Sequence, residues 1–248
     1  MTRYRATLAY DGTAYQGFQR QAGAIPTIQG SVEQALKRVT GQFITVIGAG
    51  RTDSGVHASG QVIAFDADWG HDDVDLLRAL NAVLPDDIAL QDIAPHPGFH
   101  PRFDARSRVY SYTVIHAQHR QPLWQHRAWQ VWGQLDTDAL HRTAALLAGK
   151  HDFAAFGSPP KGDNTVRELM RSEWQVSAEA FGRRLVYQVE GSAFLHHMVR
   201  RLVGTQIDVA REQMTLAEFE VIFRAADLAQ TGTLAPPQGL VLEWVRYP

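Results

Sequence analysis

The chain has 248 residues, of which 45% are apolar, and a formal charge of −2 at pH 7. This apolar fraction is enough for a substantial core, either in one large domain or in two of ordinary size. The lack of cysteine excludes disulfides and thiolate zinc sites, and no apolar run is long enough to cross a bilayer. Because the chain begins with strand-like sequence rather than a signal peptide, we expect a cytoplasmic protein without a membrane partner.

The first half of the chain is predicted to form a β-α-β-β-α-β unit. A helix begins after Thr27, a residue suited to capping, and Ile28, Val32 and Leu36 follow at helical spacing. A second helix covers residues 73–83, and its leading aspartates suit the positive end of the helix dipole. The predicted strands, rich in β-branched and apolar residues, cover residues 4–10, 43–49, 58–65 and 88–93.

The second half repeats this order with one added helix. Its strands are predicted over residues 106–116, 167–176, 185–190 and 240–245. Its helices are predicted over residues 135–147, 194–210 and 216–226. Two ferredoxin-like halves of the α+β class, residues 1–103 and 104–248, are the simplest interpretation of this pattern.

A loop between two predicted strands of the first half holds a candidate for chemistry. Gly48, Gly50 and Gly55 permit positive φ and close approach of the backbone to a ligand. Arg51 precedes Asp53 by two residues, a spacing at which the guanidinium group orients the carboxylate and keeps it ionised. An ionised carboxylate is the form that acts as a nucleophile. The same residue types also make ordinary surface turns with a local salt bridge, and the loop taken alone favours that interpretation.

Five segments along the chain form a more specific pattern than this loop alone. They are YDGTAYQGFQ at 10–19, GRTDSGVHA at 50–58, FHPRFDA with RVYSY within 99–112, FLHHMVRRLVG at 194–204 and APPQGL at 235–240. In this order they resemble the motifs of the TruA-type tRNA pseudouridine synthases. Ser54 stands where the family's motif has alanine, which exchanges one small residue for another.

The resemblance implies an isomerase that converts uridine to pseudouridine at positions 38, 39 and 40 of the tRNA anticodon arm. The reaction breaks the bond between ribose C1′ and uracil N1, turns the base and rejoins it through C5. Because it involves no redox change and no net hydrolysis, we expect no cofactor and no metal. The resemblance also implies a homodimer whose two subunits touch one tRNA. It implies, too, that the two halves join into one extended, mostly antiparallel sheet with helices on one face and an active-site cleft between them.

In this context the motifs assign roles to individual residues. Asp53 is the candidate nucleophile, with Arg51 orienting it, and Tyr110 matches the family's active-site tyrosine. That tyrosine packs against the uridine and is a candidate acceptor for the C5 proton. The target uridine must be flipped out of its helix to react, so we expect an aromatic ring to receive it. Strand alternation places Tyr112 on the same face as Tyr110, and we expect Tyr112 to belong to the core.

Candidate RNA contacts come from clustered arginines on a protein of nearly neutral charge. A neutral total lacks the basic signature of many nucleic-acid-binding proteins. The basic residues are mostly arginine, however, which suits bidentate contacts with phosphate and stacking on bases. Biased codon usage is the other explanation for this enrichment, and the sequence leaves open which of the adjacent arginines at 200 and 201 faces the site. The residues that we expect to contact RNA are Arg102, Arg108, His197, Arg200 and Arg201.

Two other functions fit parts of the sequence. A non-catalytic RNA-binding module could use the sheets of two ferredoxin-like halves, and it would tolerate Asp53→Asn. A metal-dependent phosphohydrolase would use scattered histidines and aspartates, but no spaced ligand motif supports it. The neighbouring His196 and His197 are expected to point to different sides, which does not favour a shared metal. The sequence does not decide whether Asp53 attacks ribose C1′ or the uracil ring.

Overall fold

The structure is a computed structural model that describes residues 1–248 and divides into two compact units. The first unit contains Met1–Arg106 together with Val241–Pro248, and the second contains Ser107–Leu240. The end of the chain therefore belongs with the first unit, whereas the predicted halves, 1–103 and 104–248, assign it to the second.

The elements of the first unit are five strands and two helices: β1 (Thr2–Tyr10), α1 (Ile28–Thr40), β2 (Ile47–Gly48), β3 (His57–Ala67), α2 (Asp73–Asn81), β4 (Ile88–Pro95) and β10 (Leu240–Arg246). Four of the strands form a sheet in the order β4-β1-β3-β10, and the short β2 also pairs with β3. β1 is antiparallel to both of its neighbours, whereas β10 runs parallel to β3.

Local sequence explains why β1 and α1 form where they do. Every second residue of β1 is buried, namely Tyr4, Ala6, Leu8 and Tyr10, as expected of a strand with one face on a core. α1 begins where the Thr27 side chain accepts a hydrogen bond from the Gly30 N–H group at 3.3 Å. It ends at Gly41, whose φ of 73° is left-handed and stops the helix.

The predicted strand over residues 43–49 is present only as Ile47–Gly48, and the side chains of α1 explain the difference. The Val46 N–H group donates to the Glu33 carboxylate at 3.1 Å, and the Val46 carbonyl accepts from the Gln29 side chain at 3.0 Å. Gln29 and Glu33 are themselves buried and joined by a hydrogen bond of 2.9 Å. Because these side chains satisfy the backbone of Val46, this residue does not join a strand ladder.

The elements of the second unit follow in chain order: β5 (Ser107–Ala117), β6 (Trp129–Val131), α3 (Thr137–Leu147), β7 (Gly149–Asp152), β8 (Val166–Glu179), β9 (Gly182–Gly191), α4 (Met198–Ala210) and α5 (Leu216–Ala225). Its strands are ordered β5-β9-β8-β7, and all of these pairs are antiparallel. The short β6, which the sequence did not predict, pairs parallel with β5.

Hydrogen bonds fix α3 and α4 against the sheet of the second unit. From β8, the Ser172 hydroxyl donates to the Ala144 carbonyl on α3 at 2.8 Å, and the Trp174 indole donates to the Gln206 side chain on α4 at 2.9 Å. α4 begins at Met198 rather than at residue 194 as predicted. His197 adopts a left-handed φ of 62°, which an α-helix does not accommodate, so the helix cannot extend through it.

The α+β fold class with mostly antiparallel strands is confirmed. Each unit combines helices with an antiparallel sheet, and each has one parallel pair, β3 with β10 in the first and β5 with β6 in the second. None of the helices combines the length and the apolar character needed to cross a membrane.

We expect Gly60→Ala to destabilise the first unit. A Cβ atom at Gly60 on β3 would overlap the Glu243 carbonyl oxygen of β10 and lie 3.0 Å from the Trp244 Cα atom. Overpacking of this kind costs about 1–3 kcal/mol of the free energy of unfolding, which urea denaturation measures. Gly70→Ala is the matched control, because a Cβ atom there has nothing within 4 Å. If Gly60→Ala and Gly70→Ala unfold at the same urea concentration, β3 and β10 are not packed this closely.

Candidate active site

The loop between β2 and β3 presents Asp53 on a tight turn. The Val56 N–H group donates to the Asp53 carbonyl at 3.2 Å, and Gly55 between them has a left-handed φ of 77° that glycine adopts without strain. Asp53 is half-buried, so its side chain is partly shielded from water and still accessible from solvent. The turn therefore holds an acidic side chain where a ligand can reach it.

The segment after β1 fixes this loop on both sides of Asp53. The Phe18 N–H group donates to the Thr52 carbonyl at 3.0 Å, and the Ser54 hydroxyl donates to the Tyr15 carbonyl at 3.1 Å. Gly17 sits between these contacts with a φ of 86°, and a Cβ atom there would lie 2.8 Å from the Thr52 carbonyl oxygen. Only glycine allows this approach, so the first motif serves to position the second.

A buried pair of hydroxyl groups adds a second restraint that the sequence did not predict. The Tyr10 hydroxyl and the Thr52 hydroxyl lie 2.8 Å apart, and both residues are buried. This bond ties the end of β1 to the residue that precedes Asp53. Both residues belong to the quoted motifs, but their spacing of 42 positions gives no local signal that they meet.

Arg51 and Arg102 occupy exposed positions in the same unit. Arg51 lies in the loop two residues before Asp53, and the preceding Gly50 carbonyl accepts from the buried Gln61 side chain at 2.9 Å. Arg102 lies in a separate turn after Pro101. The orientation of Asp53 by Arg51 and the contact of Arg102 with RNA stay predictions.

In the second unit, two candidates on β5 meet the connection between β9 and α4. Tyr110 is buried, and its ring packs edge-to-face on Phe194 with centroids 5.1 Å apart and an interplanar angle of 82°. Arg108, two residues earlier, donates to the Ser192 carbonyl at 2.9 Å. The structure thus brings Arg108 and Tyr110 to the same connection, while their contacts with a substrate stay predictions.

Tyr112 belongs to the core, as expected. It is fully buried, and its hydroxyl donates to the Pro236 carbonyl at 2.7 Å. Burial raises the pKa of the Tyr112 hydroxyl, and the charge of Arg200 acts in the opposite direction. A neutral tyrosine tied to a carbonyl serves structure rather than proton transfer.

His196 and His197 do not point to different sides as predicted. Their rings stack with centroids 3.7 Å apart and an interplanar angle of 29°. The left-handed backbone of His197 turns its side chain back over its neighbour, and the His196 N–H group is held by the Ser158 carbonyl at 2.9 Å. The expectation of opposite sides assumed a continuous helix, and the helix begins only after these residues.

The loop after α5 is fastened to α4 at Arg200. The Arg200 Nε group donates to the Ala235 carbonyl at 2.8 Å, and the Ala235 N–H group donates back to the Arg200 carbonyl at 3.2 Å. The guanidinium group is therefore held by a backbone atom of another segment. Arg201 is half-buried, and its N–H group donates to the His197 carbonyl at 3.0 Å. The contacts of both arginines with RNA stay predictions.

Asp208 fixes the same loop about two helical turns beyond Arg200 on α4. Its carboxylate accepts from the Thr233 N–H group at 2.7 Å and from the Thr233 hydroxyl at 2.9 Å. Gly204 lies between these two anchors on α4, and a Cβ atom there would overlap the Thr233 carbonyl oxygen. Asp208 and Arg200 thus hold the same loop, and sequence reasoning missed this role of Asp208 because Asp208 and Thr233 lie 25 residues apart.

This α+β protein thus fixes a half-buried carboxylate on a glycine-rich loop, where a ligand can reach it. The sequence model of the family described as tRNA pseudouridine synthase matches residues 6–104 and 143–248, and the chain belongs to this family. The resemblance of its five motifs is thereby confirmed.

Individual relatives match along their full length. The chain is 40% identical over 248 residues to tRNA pseudouridine synthase A of Moorella thermoacetica, covering 98% of both proteins. It is 37% identical over 250 residues to tRNA pseudouridine synthase A of Neisseria gonorrhoeae, covering 99% of this chain and 92% of that protein. Among solved structures, a chain of a Cbf5–Nop10–Gar1 complex matches 82% of this chain and 44% of its own length. Its TM-score of 0.39 and identity of 13% are too low to carry an argument.

We expect Asp208→Ala to release the loop around Thr233 from α4. Two hydrogen bonds to a buried carboxylate are lost, so the free energy of unfolding should fall by about 1–3 kcal/mol and amide hydrogen exchange at Thr233 and Ala235 should accelerate. Asp208→Asn is the control, because its carbonyl can accept from the Thr233 N–H group while its amide donates to the hydroxyl. Wild-type exchange rates in Asp208→Ala would show that the carboxylate does not hold the loop.

Proposed function

We propose that this protein is a tRNA pseudouridine synthase that isomerises uridines at positions 38, 39 and 40 of the anticodon arm. The observation that carries the proposal is Asp53, held by the preceding motif on a turn within the segment that matches the family. The full-length likeness to proteins named tRNA pseudouridine synthase A supports tRNA as the substrate.

Asp53 is the proposed nucleophile. Its carboxylate attacks either ribose C1′ or the uracil ring, and both routes detach N1 from C1′, turn the base and join C5 to C1′. In either route the bond between Asp53 and the substrate then breaks again, the C5 proton leaves and N1 takes up a proton, so atoms and charge balance without a redox partner. Rigid support of the Asp53 backbone favours this chemistry, because the carboxylate need not be reordered as the bond forms.

Tyr110 is proposed to receive the flipped uridine. Its ring is already fixed against Phe194 at 5.1 Å, so a base that packs on it does not have to order a mobile side chain. The Tyr110 hydroxyl is the proposed acceptor for the C5 proton. Arg51 is proposed to orient Asp53.

The remaining candidates are proposed to bind the RNA backbone. Arg108 and Arg200 each donate to a backbone carbonyl, Ser192 at 2.9 Å and Ala235 at 2.8 Å. These bonds restrain two long side chains and so lower the entropy lost when a phosphate binds. Arg102, His197 and Arg201 complete the proposed set.

We also propose that the protein is cytoplasmic and works as a homodimer in which one tRNA touches both subunits. Sedimentation of the chain alone and with tRNA tests this assembly. A mass of two chains with one tRNA is expected, and one chain per tRNA would contradict the dimer.

Asp53→Asn is expected to fold normally and to form no pseudouridine, because the amide is not a nucleophile. The measurement is tritium release from tRNA that carries 5-tritiated uridine, and the rate should fall at least about a thousandfold. EDTA should leave the release by the wild-type protein unchanged, because no step uses a metal.

The matched control for this measurement is Asp86→Asn, the same change at an exposed aspartate of the same unit. It should release tritium at the wild-type rate. Appreciable turnover by Asp53→Asn would remove Asp53 as the nucleophile. Tight tRNA binding by the wild-type protein without any release would instead indicate a non-catalytic RNA-binding module.

Affinity for tRNA is expected to fall steeply with salt, because arginine–phosphate contacts release counterions from the RNA. Four such contacts, one for each proposed arginine, would weaken binding about 150-fold between roughly 50 and 200 mM salt. Arg108→Gln should lower the slope of log K against log salt by about 1. Arg78→Gln, at an exposed arginine of α2, should not change the slope. A slope near zero for the wild-type protein would rule out phosphate-dominated binding.

A further inference from the structure

The turn at residues 100–104 presents an aromatic ring to solvent. Phe103 is 76% exposed, although phenylalanine is usually buried. Its ring stacks on the His100 imidazole with centroids 4.2 Å apart and an interplanar angle of 27°. A second ring therefore supports Phe103, and most of its surface remains open to a ligand.

Hydrogen bonds within the turn hold this ring pair in place. The Asp104 N–H group donates to the His100 carbonyl at 3.1 Å, and the His100 N–H group donates to the Asp104 carboxylate at 2.9 Å. The N–H groups of Arg102 and Phe103 both point to His100 Nδ1 at 3.2 Å. Because these bonds close the turn on itself, a ligand that stacks on Phe103 does not have to order it.

The turn is also anchored to the body of the first unit. The Tyr247 hydroxyl donates to the Pro101 carbonyl at 2.7 Å. The buried Phe99 ring meets the Tyr247 ring edge-to-face at 5.0 Å, and the Arg5 guanidinium lies 4.8 Å from the Tyr247 ring centroid. Phe103 is therefore an exposed ring on a rigid support and not the tip of a loose loop.

Charge around the ring favours a nucleotide as its ligand. The Arg102 guanidinium lies 6.0 Å from the Phe103 ring centroid, and Arg106 is exposed nearby in sequence. Asp104, the one acid of the turn, is engaged with the His100 backbone. An aromatic ring with arginine beside it is the arrangement that binds a base by stacking and its phosphate by charge.

A second copy of the chain fits this surface less well. A stable interface between copies buries about 800 Å² on each partner around an apolar centre. Phe103, with His100 stacked on it, instead has Arg102, Asp104 and Arg106 as sequence neighbours, all exposed and charged. A single exposed phenylalanine ring is the size of one base rather than the centre of an interface.

We propose that Phe103, supported by His100, is a stacking site for an unpaired nucleobase of the bound tRNA, with Arg102 contacting the adjacent phosphate. This inference rests on the proposed function and adds a base contact to its phosphate contacts. Its signature is a loss of tRNA affinity when the aromatic ring at this position is removed, with the salt slope of binding unchanged.

The test compares tRNA affinity in substituted forms of the full chain, with folding checked by circular dichroism. Phe103→Ala and Phe103→Leu should each bind about tenfold more weakly, because leucine keeps apolar area without a ring, whereas Phe103→Trp should bind as tightly as wild type. The salt slope should stay unchanged in all three. Phe43→Ala is the matched control, since Phe43 is 87% exposed and has the Lys37 ammonium 4.0 Å from its ring centroid. It should bind as wild type does.

Wild-type affinity in Phe103→Ala, or an equal loss in Phe43→Ala, would overturn the stacking site. Dissociation of Phe103→Ala dimers into monomers in sedimentation would also overturn it, because the ring would then belong to a contact between copies. Tritium release by the wild-type protein separates this outcome from a failure of the proposed function. Release with unaltered binding by Phe103→Ala removes the stacking site alone. Binding without release by wild type removes the synthase activity, and the affinity comparison still decides the stacking site.

Discussion

The hydrogen bond from the Phe18 N–H group to the Thr52 carbonyl is the constraint on which the candidate active site depends, because it fixes the backbone next to the carboxylate. A loop built from glycines approaches a ligand closely but is too pliable to hold a nucleophile by itself. The segment after β1 supplies this restraint. Phe18 is hydrogen-bonded to Thr52, which precedes Asp53, and Tyr15 is hydrogen-bonded to Ser54, which follows it. The loop that carries Asp53 is flexible by composition, and its hydrogen bonds to the segment after β1 make it rigid in the folded protein. The two motifs therefore form the site together.

The second unit uses the same physical device at a different place. Gly17 allows one segment to approach the Thr52 carbonyl, and Gly204 allows the loop after α5 to approach α4 at the Thr233 carbonyl. In both cases a missing Cβ atom lets two backbones touch, and a polar side chain next to the contact secures it. In the second unit this polar side chain is Asp208, whose carboxylate accepts two hydrogen bonds from Thr233. Such contacts give Gly17 and Gly204 a structural role, because each lets two backbone segments approach closely.

The sequence predicted most strands and helices because their periodicity depends on neighbours in the chain, and it failed where distant partners decide. Residues 43–46 have strand-like composition, yet side chains of α1 satisfy the Val46 backbone. His197 lies in a helical pattern, yet its left-handed backbone delays the helix. The parallel pairing of the last strand with β3 joins residues far apart in sequence. The motifs nominate Asp53 and Tyr110 as candidates, whereas the contacts of Tyr10 and Asp208 gave no signal in the sequence because their partners are set by the fold alone.

The near-neutral charge of the protein is compatible with RNA binding because its charges are arranged in local groups. Several arginines outside the five motif segments form ion pairs with acidic residues, as Arg3 does with Asp66 at 2.7 Å and Arg142 with Asp136 at 3.1 Å. Each such ion pair adds nothing to the net charge of the chain, and it adds little to the electrostatic potential at distances beyond a Debye length. The segment 194–204, in contrast, holds two arginines and no acid, and the segment 99–108 holds three arginines and one aspartate. A phosphate responds to these local sums and not to the charge of the whole chain, so a total of −2 does not weaken the case for an RNA substrate.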